Sequence, residues 1–146
     1  MRKILFRAKT VFSSEWVESM SITNGTIKRK ERNFYFEIGN DKWTQVREDT
    51  ICQFTGLIDR FKNKIFDGDI IKYTEHQGYL LKSFTAEIRW IESYACFGYN
   101  KVEKDESGFE DVIIHSFSEH EEFEIDVLPF IEVIGNKYDN PELMCA

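Results

Sequence analysis

Turn-forming residues interrupt this chain about every ten positions, a spacing typical of strands rather than helices. They fall at Asn24-Gly25, Gly39-Asn40-Asp41, Asp67-Gly68-Asp69, Gln77-Gly78, Ser107-Gly108 and Gly135-Asn136. Seven segments, Lys3 to Ala8, Glu15 to Ile22, Asn33 to Ile38, Asp69 to Tyr73, Phe84 to Ile91, Asp111 to Phe117 and Phe130 to Ile134, are rich in Val, Ile, Phe, Tyr, Trp and Thr and read as strands. Between Phe84 and Trp90 the pattern alternates. Phe84, Ala86, Ile88 and Trp90 fall on one face and Thr85, Glu87 and Arg89 on the other, which predicts a half-buried antiparallel strand. Helical periodicity is scarce. It is confined to a turn within Trp43 to Thr50 and to Ser118 to Glu122, where Ser118 can cap a first turn carrying Glu119, Glu121 and Glu122.

A compact antiparallel sheet with so many short strands removes its exposed edges by closing on itself. The expected fold class is therefore mainly β (α+β), a closed or nearly closed small barrel or roll from about Thr50 onward. An N-terminal subdomain of strands and a short helical turn precedes it, giving boundaries at 1–49 and 50–146. The chain has 146 residues, enough to bury a core without a covalent staple. Its 15% aromatic content and 2 prolines exclude a disordered or low-complexity class. No apolar run approaches the ~20 residues that span a bilayer. The start turns charged again at Arg7 before a signal-peptide core forms, so no membrane association and a cytoplasmic location are expected. Cys52, Cys96 and Cys145 are widely separated and contain no CxxC pair, and read as reduced thiols.

Charge is distributed unevenly. Residues 1–33 hold 8 Lys/Arg and 3 Asp/Glu, a net +5, while residues 34–146 hold 11 and 23, a net −12. The basic end is densest at Lys28, Arg29, Lys30 and Arg32, and the acidic end between Lys101 and Asp126, where 10 carboxylates face 2 lysines. The basic run reads as a solvated hairpin or loop after Asn24-Gly25, as a phosphate-contact patch, or as one half of an attraction between neighbouring subunits.

Reactive constellations are absent from the sequence pattern. His115 and His120 flank Ser118-Glu119 but match no HExxH or other zinc spacing, and no GxSxG, GxxxxGK[ST] or GxGxxG occurs. The reading is no catalytic residue, no metal and no cofactor. Cys96 lies in the aromatic run Tyr94 to Tyr99 and reads as a buried thiol filling space. Trp90, Tyr94, Phe97 and Tyr99 read as core rather than a base-stacking platform, because the surrounding charge is acidic.

Five segments in order carry a family resemblance: RKILFRAK at Arg2 to Lys9, EWVESMSI around Trp16, TICQFTGLIDRFKNKIFDGDIIKY at Thr50 to Tyr73, AEIRWIESYACFGY at Ala86 to Tyr99, and IEVIGNKYDNPELM at Ile131 to Met144. The chain thereby resembles the YopX family, encoded by bacteriophages, prophages and related mobile elements. The resemblance rests most on Thr55, Gly56, Leu57, Asp59, Gly68, Asp69 and Ile70, and on Gly135, Asn136, Asn140, Pro141, Glu142 and Leu143. It implies a small N-terminal part, a C-terminal barrel of the Src-homology-3 type and no known reaction. Physically, Asp67-Gly68 is a tight-turn signal, Gly135-Asn136 permits positive φ at the exit of the last strand, and Asn140-Pro141 opens a turn that returns Leu143 to pack. Two functions remain open. One is a non-enzymatic interaction module that self-associates and binds a host or phage protein in the bacterial cytoplasm. The other is a nucleic-acid-binding accessory that uses the basic N-terminal segment.

Overall fold

The computed structural model describes residues 3–26, 32–104, 110–116, 127–128 and 130–144. The chain divides into two compact units, Met1–Phe54 and Thr55–Ala146, where the sequence placed the boundary at Thr50. The described residues are mainly β.

In the N-terminal unit, β1 (Phe6–Lys9) pairs antiparallel with β2 (Trp16–Ser19), and β3 (Ile22–Thr26), β4 (Arg32–Gly39) and β5 (Lys42–Val46) form an antiparallel meander. Its core is Ala8, Phe36 and Val46, with Phe6, Val17, Phe34 and Ile51 packed around them. Two expectations need correction here. The single strand foreseen from Glu15 to Ile22 is two strands. The Ser19 hydroxyl lies 2.9 and 2.8 Å from the carbonyl oxygens of Ser21 and Glu37, which share its single proton, and accepts from the Ser21 N–H, which breaks the ladder between them. Asn24-Gly25 is not a turn but lies inside β3, opposite Phe34 and Asn33. The Tyr35 ring stands 3.8 Å from where a Gly25 Cβ would be, an ordinary van der Waals contact, so space does not demand a glycine there. The helical turn foreseen within Trp43 to Thr50 is present as a 3-10 turn at Glu48–Thr50, directly after β5. The buried Thr50 hydroxyl closes that turn by donating to Arg47 O and accepts from the Lys9 N–H.

Strand β6 (Cys52–Asp59) runs from one unit into the other. Its first residues pair with β1, Phe6 opposite Gln53 and Arg7 opposite Cys52. Its last residues pair with β7 (Lys64–Phe66) and, in parallel, with β12 (Val127–Leu128). The C-terminal unit is otherwise one sheet in the order β11-β10-β9-β8-β13, formed by β8 (Asp69–Gln77), β9 (Leu80–Ile91), β10 (Cys96–Lys104), β11 (Glu110–Ser116) and β13 (Ile131–Asn136). Ile65, Ile71, Tyr73, Ala86, Ile88, Tyr99 and Ile131 make its core. Tyr73 stacks on Phe84 at 4.7 Å between ring centroids, and Phe84 on Tyr99 at 5.8 Å.

The alternation read from Phe84 to Trp90 holds through Ile88 and then fails. Trp90 is 41% exposed and meets Phe97 edge-on at 5.0 Å, and the buried position passes to Ile91. The cause is the 3-10 turn at Glu92–Tyr94, which ends β9 and lifts its last residues beyond the core. That turn closes on Ala95, held in the left-handed region at φ 48° and ψ 43°. Ala95→Gly is therefore expected to raise stability by about 1 kcal/mol, because glycine pays no Cβ penalty there. A thermal melt with an unchanged or lower midpoint would contradict it. Cys96, foreseen as buried, is half-buried, while Cys52 is buried, and neither is in a disulfide. The helix foreseen at Ser118 to Glu122 and the turn at Ser107-Gly108 lie outside the described residues.

Candidate functional site

The residues that carry the family resemblance gather in two places in the C-terminal unit. The first is the β6–β7–β8 run. Thr55 donates its hydroxyl to Ile65 O at 2.8 Å across the β6–β7 hairpin and accepts the Leu57 N–H at 3.1 Å. Gly56 beside it lies in the left-handed region at φ 88°, a conformation that L side chains rarely adopt. Leu57 packs against the core cluster, and Ile70 is fully buried. At the β7–β8 turn, Gly68 has φ 85°, donates its N–H to Ile88 O and accepts from Lys137 N–H, so the turn foreseen at Asp67-Gly68 is present. The Asp69 carboxylate, 1% exposed, accepts the Phe66 N–H at 2.8 Å and ties the turn's two ends together.

Among the described residues Asp59 is the most heavily hydrogen-bonded carboxylate. It is 0% exposed at the end of β6. One carboxylate oxygen accepts the backbone N–H of Phe61 at 2.9 Å and of Asn63 at 2.8 Å, and the other accepts the Asn63 side-chain amide at 3.1 Å and the Val133 N–H at 3.0 Å. Burial pushes its pKa up. Hydrogen bonds from the Val133 backbone, the Asn63 backbone and side chain and the Phe61 backbone outweigh burial, and the carboxyl sits below its ordinary 3.8. A carboxylate saturated in this way is a loop organiser. It shapes the β6–β7 connection, in which Lys62 adopts φ 68°, and fastens it to β13 seventy-four residues away in sequence.

The second place is the end of β13. Gly135 does not have the positive φ foreseen for it: it pairs with Ile70 inside the strand, next to a bulge between Val133 and Gly135. Its lack of a side chain serves a close approach. A Cβ there would stand 2.6 Å from Asn140 Oδ1 and 2.9 Å from Leu143 Cδ1. Asn136 Oδ1 accepts the N–H groups of Tyr138 and Asp139, its amide donates to Asp139 at 3.1 Å, and its backbone carbonyl accepts the Asn140 N–H at 2.8 Å. Pro141, Glu142 and Leu143 then form a 3-10 turn, Pro141–Met144, with Leu143 half-buried and Glu142 exposed. The sequence reading gave Gly135 the wrong reason: the glycine is needed for space and not for a positive φ. The signal for the right one is the short return from Gly135 to Asn140 and Leu143.

Lys28, Arg29 and Lys30 lie outside the described residues, and Arg32 opens β4 opposite Thr26. A basic feature that the sequence reading missed lies on β1 and β2. The Arg7 guanidinium sits 4.7 Å from the Trp16 ring centroid and the Lys9 ammonium 5.4 Å from it. The signal is alternation: Arg7 and Lys9 share one face of β1, and the register sets Lys9 opposite Trp16. Among the described residues no three His, Cys, Asp or Glu converge as metal ligands, and no helix is long and apolar enough to cross a membrane. His76 and His115 occupy strand positions in β8 and β11, and His120 lies outside the described residues. Several large apolar side chains reach solvent instead, led by Phe12 at 86% exposure and by Tyr79, fully exposed at the β8–β9 turn.

The family model described as YopX protein matches residues 5–145. Among solved structures, the crystal structure of protein EF1440 from Enterococcus faecalis is similar over 99% of this chain and 99% of its own, with a TM-score of 0.51 and 22% sequence identity. No curated protein matches.

Proposed function

This chain belongs to the YopX protein family, and on that footing we propose that it is a non-enzymatic interaction module that self-associates and binds a protein of the bacterial host or of the phage or mobile element that encodes it. It works in the host cytoplasm. Its C-terminal unit closes as a small barrel of the Src-homology-3 type. The observation that supports this reading is how the family residues spend their polar groups. The hydroxyl of Thr55, the carboxylate of Asp59 and the amide of Asn136 all hold backbone within the unit, while Phe12 and Tyr79 present apolar surface to solvent. Family residues used this way specify a scaffold, and binding is left to the exposed aromatics.

A second reading, a nucleic-acid accessory, draws on Arg7 and Lys9 at Trp16 and on the basic residues Lys28, Arg29, Lys30 and Arg32. Against it, residues 55–146 carry 9 Lys/Arg and 19 Asp/Glu, a net −10, which repels phosphate. Fluorescence anisotropy with labelled single-stranded and duplex oligonucleotides decides between the two. The module reading expects no binding at low salt. Binding that falls steeply with added salt and is weakened by Arg7→Ala or Lys9→Ala would overturn it in favour of the second.

A further inference from the structure

We propose that the β6–β7 loop, Arg60 to Lys64, is a docking site for an acidic peptide segment of a partner protein, with Phe61 receiving an apolar side chain and Arg60 and Lys62 receiving carboxylates. The inference rests on the protein-binding reading above and gives it a place and a partner chemistry. Residues 55–146 carry 9 Lys/Arg against 19 Asp/Glu. Three of those 9 cations, Arg60, Lys62 and Lys64, fall within five consecutive positions that hold no carboxylate. Phe61 stands among them 57% exposed, and Phe130 reaches solvent next to Ile131, whose carbonyl accepts the Arg60 N–H at 3.1 Å.

The loop is organised before any partner arrives. The Asp59 carboxylate holds the N–H groups of Phe61 and Asn63, the Asp59 carbonyl accepts the Lys62 N–H at 3.0 Å, and the Asn63 carbonyl accepts the Asp59 N–H at 2.9 Å. A segment fixed in this way loses little conformational freedom on binding. The Arg60 guanidinium lies 4.6 Å from the Phe61 ring centroid and 3.6 Å from Glu132 Oε2. Stacking holds the planar fork against the ring, and a contact of 3.6 Å is long for a hydrogen bond, so the fork keeps donors for a second carboxylate. Lys62 is the position that argues for recognition. It has φ 68°, where an L side chain carries a steric cost that glycine escapes. Its side chain is exposed, and the bonds that close the loop are made by its backbone N–H, by Asp59 and by Asn63, so the loop does not use the ammonium to fold. Backbone strain held in place by a surrounding network is characteristic of ligand-contacting positions.

A carboxylate peptide fits the loop better than a polyphosphate for two reasons. The N–H groups of Phe61, Lys62 and Asn63 are all taken by Asp59, so no nest of backbone donors remains for a phosphate. The net charge of −10 on residues 55–146 repels a long polyanion where it runs beyond the loop, whereas a short peptide keeps its few carboxylates within reach of Arg60 and Lys62. Exposed arginine and aromatic side chains together are also the groups that anchor protein partners.

Nuclear magnetic resonance titration of the isotope-labelled full chain with a short peptide of glutamate and leucine tests the site. The amide resonances of Arg60 to Lys64 are expected to move, and the same peptide with glutamine in place of glutamate is expected to bind about tenfold more weakly. Phe61→Ala is expected to weaken binding about tenfold and Lys62→Gly about threefold. Lys62→Gly also raises the melting midpoint by about 2–5 °C, because glycine relieves the left-handed backbone. A purely structural role for Lys62 would not weaken binding in a variant that gains stability. Glutamate-dependent shifts confined to other residues, or binding untouched by Phe61→Ala and Lys62→Gly, overturn the loop and leave the protein-binding reading standing. No shift with the peptide also overturns the loop, and if a single-stranded oligonucleotide moves the resonances instead, the protein-binding reading falls with it.

Discussion

Asp59→Ala is expected to destabilise the C-terminal unit by about 3–5 kcal/mol, which lowers its melting midpoint by about 10–15 °C. The substitution removes the acceptor of four hydrogen bonds at once. Three of the donors are backbone N–H groups, of Phe61, Asn63 and Val133, and the fourth is the Asn63 amide, so the loss includes leaving donors unpaired. Asp59→Asn also costs stability, because its NH2 group must face donors that now meet a carboxylate oxygen. The carboxyl titrates below its ordinary 3.8, so the native state takes up this proton less readily than the unfolded chain. Its contribution is fully present above the ordinary value and is lost as pH falls through the lowered one. Denaturant melts at pH 7 and at pH 3 check both statements. The native chain is expected to lose more stability between them than Asp59→Asn does, and equal losses would show that the loop does not depend on the ionised carboxylate.

Gly135→Val is the second large effect, about 2–4 kcal/mol. The backbone of residue 135 is not in the left-handed region, so the cost comes entirely from space. The new side chain displaces Asn140 Oδ1 and Leu143 Cδ1, and with them the turn that Asn136 closes. Gly135→Ala should cost less. Combining it with Asn140→Ala should cost clearly less than the sum of the two single changes, since the second removes the atom the first collides with. Additive costs in chemical denaturation would place the conflict elsewhere.

The two glycines Gly68 and Gly135 mark where sequence reading succeeds and where it stops. Asp67-Gly68 announces a tight turn by local chemistry alone, and the turn is present with Gly68 at φ 85°. Gly135-Asn136 carries the same local signal, but the residue's role is set by Asn140 and Leu143, which only folding brings against it. Asn24-Gly25 shows the limit more sharply. The strongest two-residue hairpin signal in the chain is absorbed into β3, because pairing of Ile22 and Asn24 with Phe36 and Phe34 outweighs local turn preference. In the C-terminal sheet β8, β9, β11 and β13 were legible from their β-branched and aromatic residues and β10 was not, and the alternation read along β9 fails at Trp90, where a following turn changes the environment. The roles of Asp59 were not legible. A lone aspartate between Ile58 and Arg60 gives no sign of a bond to Val133.

Strand β6 has a consequence for how such a chain can be inherited in pieces. The division between the two units falls between Phe54 and Thr55, inside a strand whose first residues pair with β1 and whose last pair with β12. A genetic crossover that exchanged one unit for a relative's would have to rejoin a strand in mid-run and keep both registers, since a slip of one residue turns every following side chain to the opposite face. Recombination breakpoints in genes of this architecture are therefore expected outside Cys52–Asp59, and the two units to travel together as one heritable block.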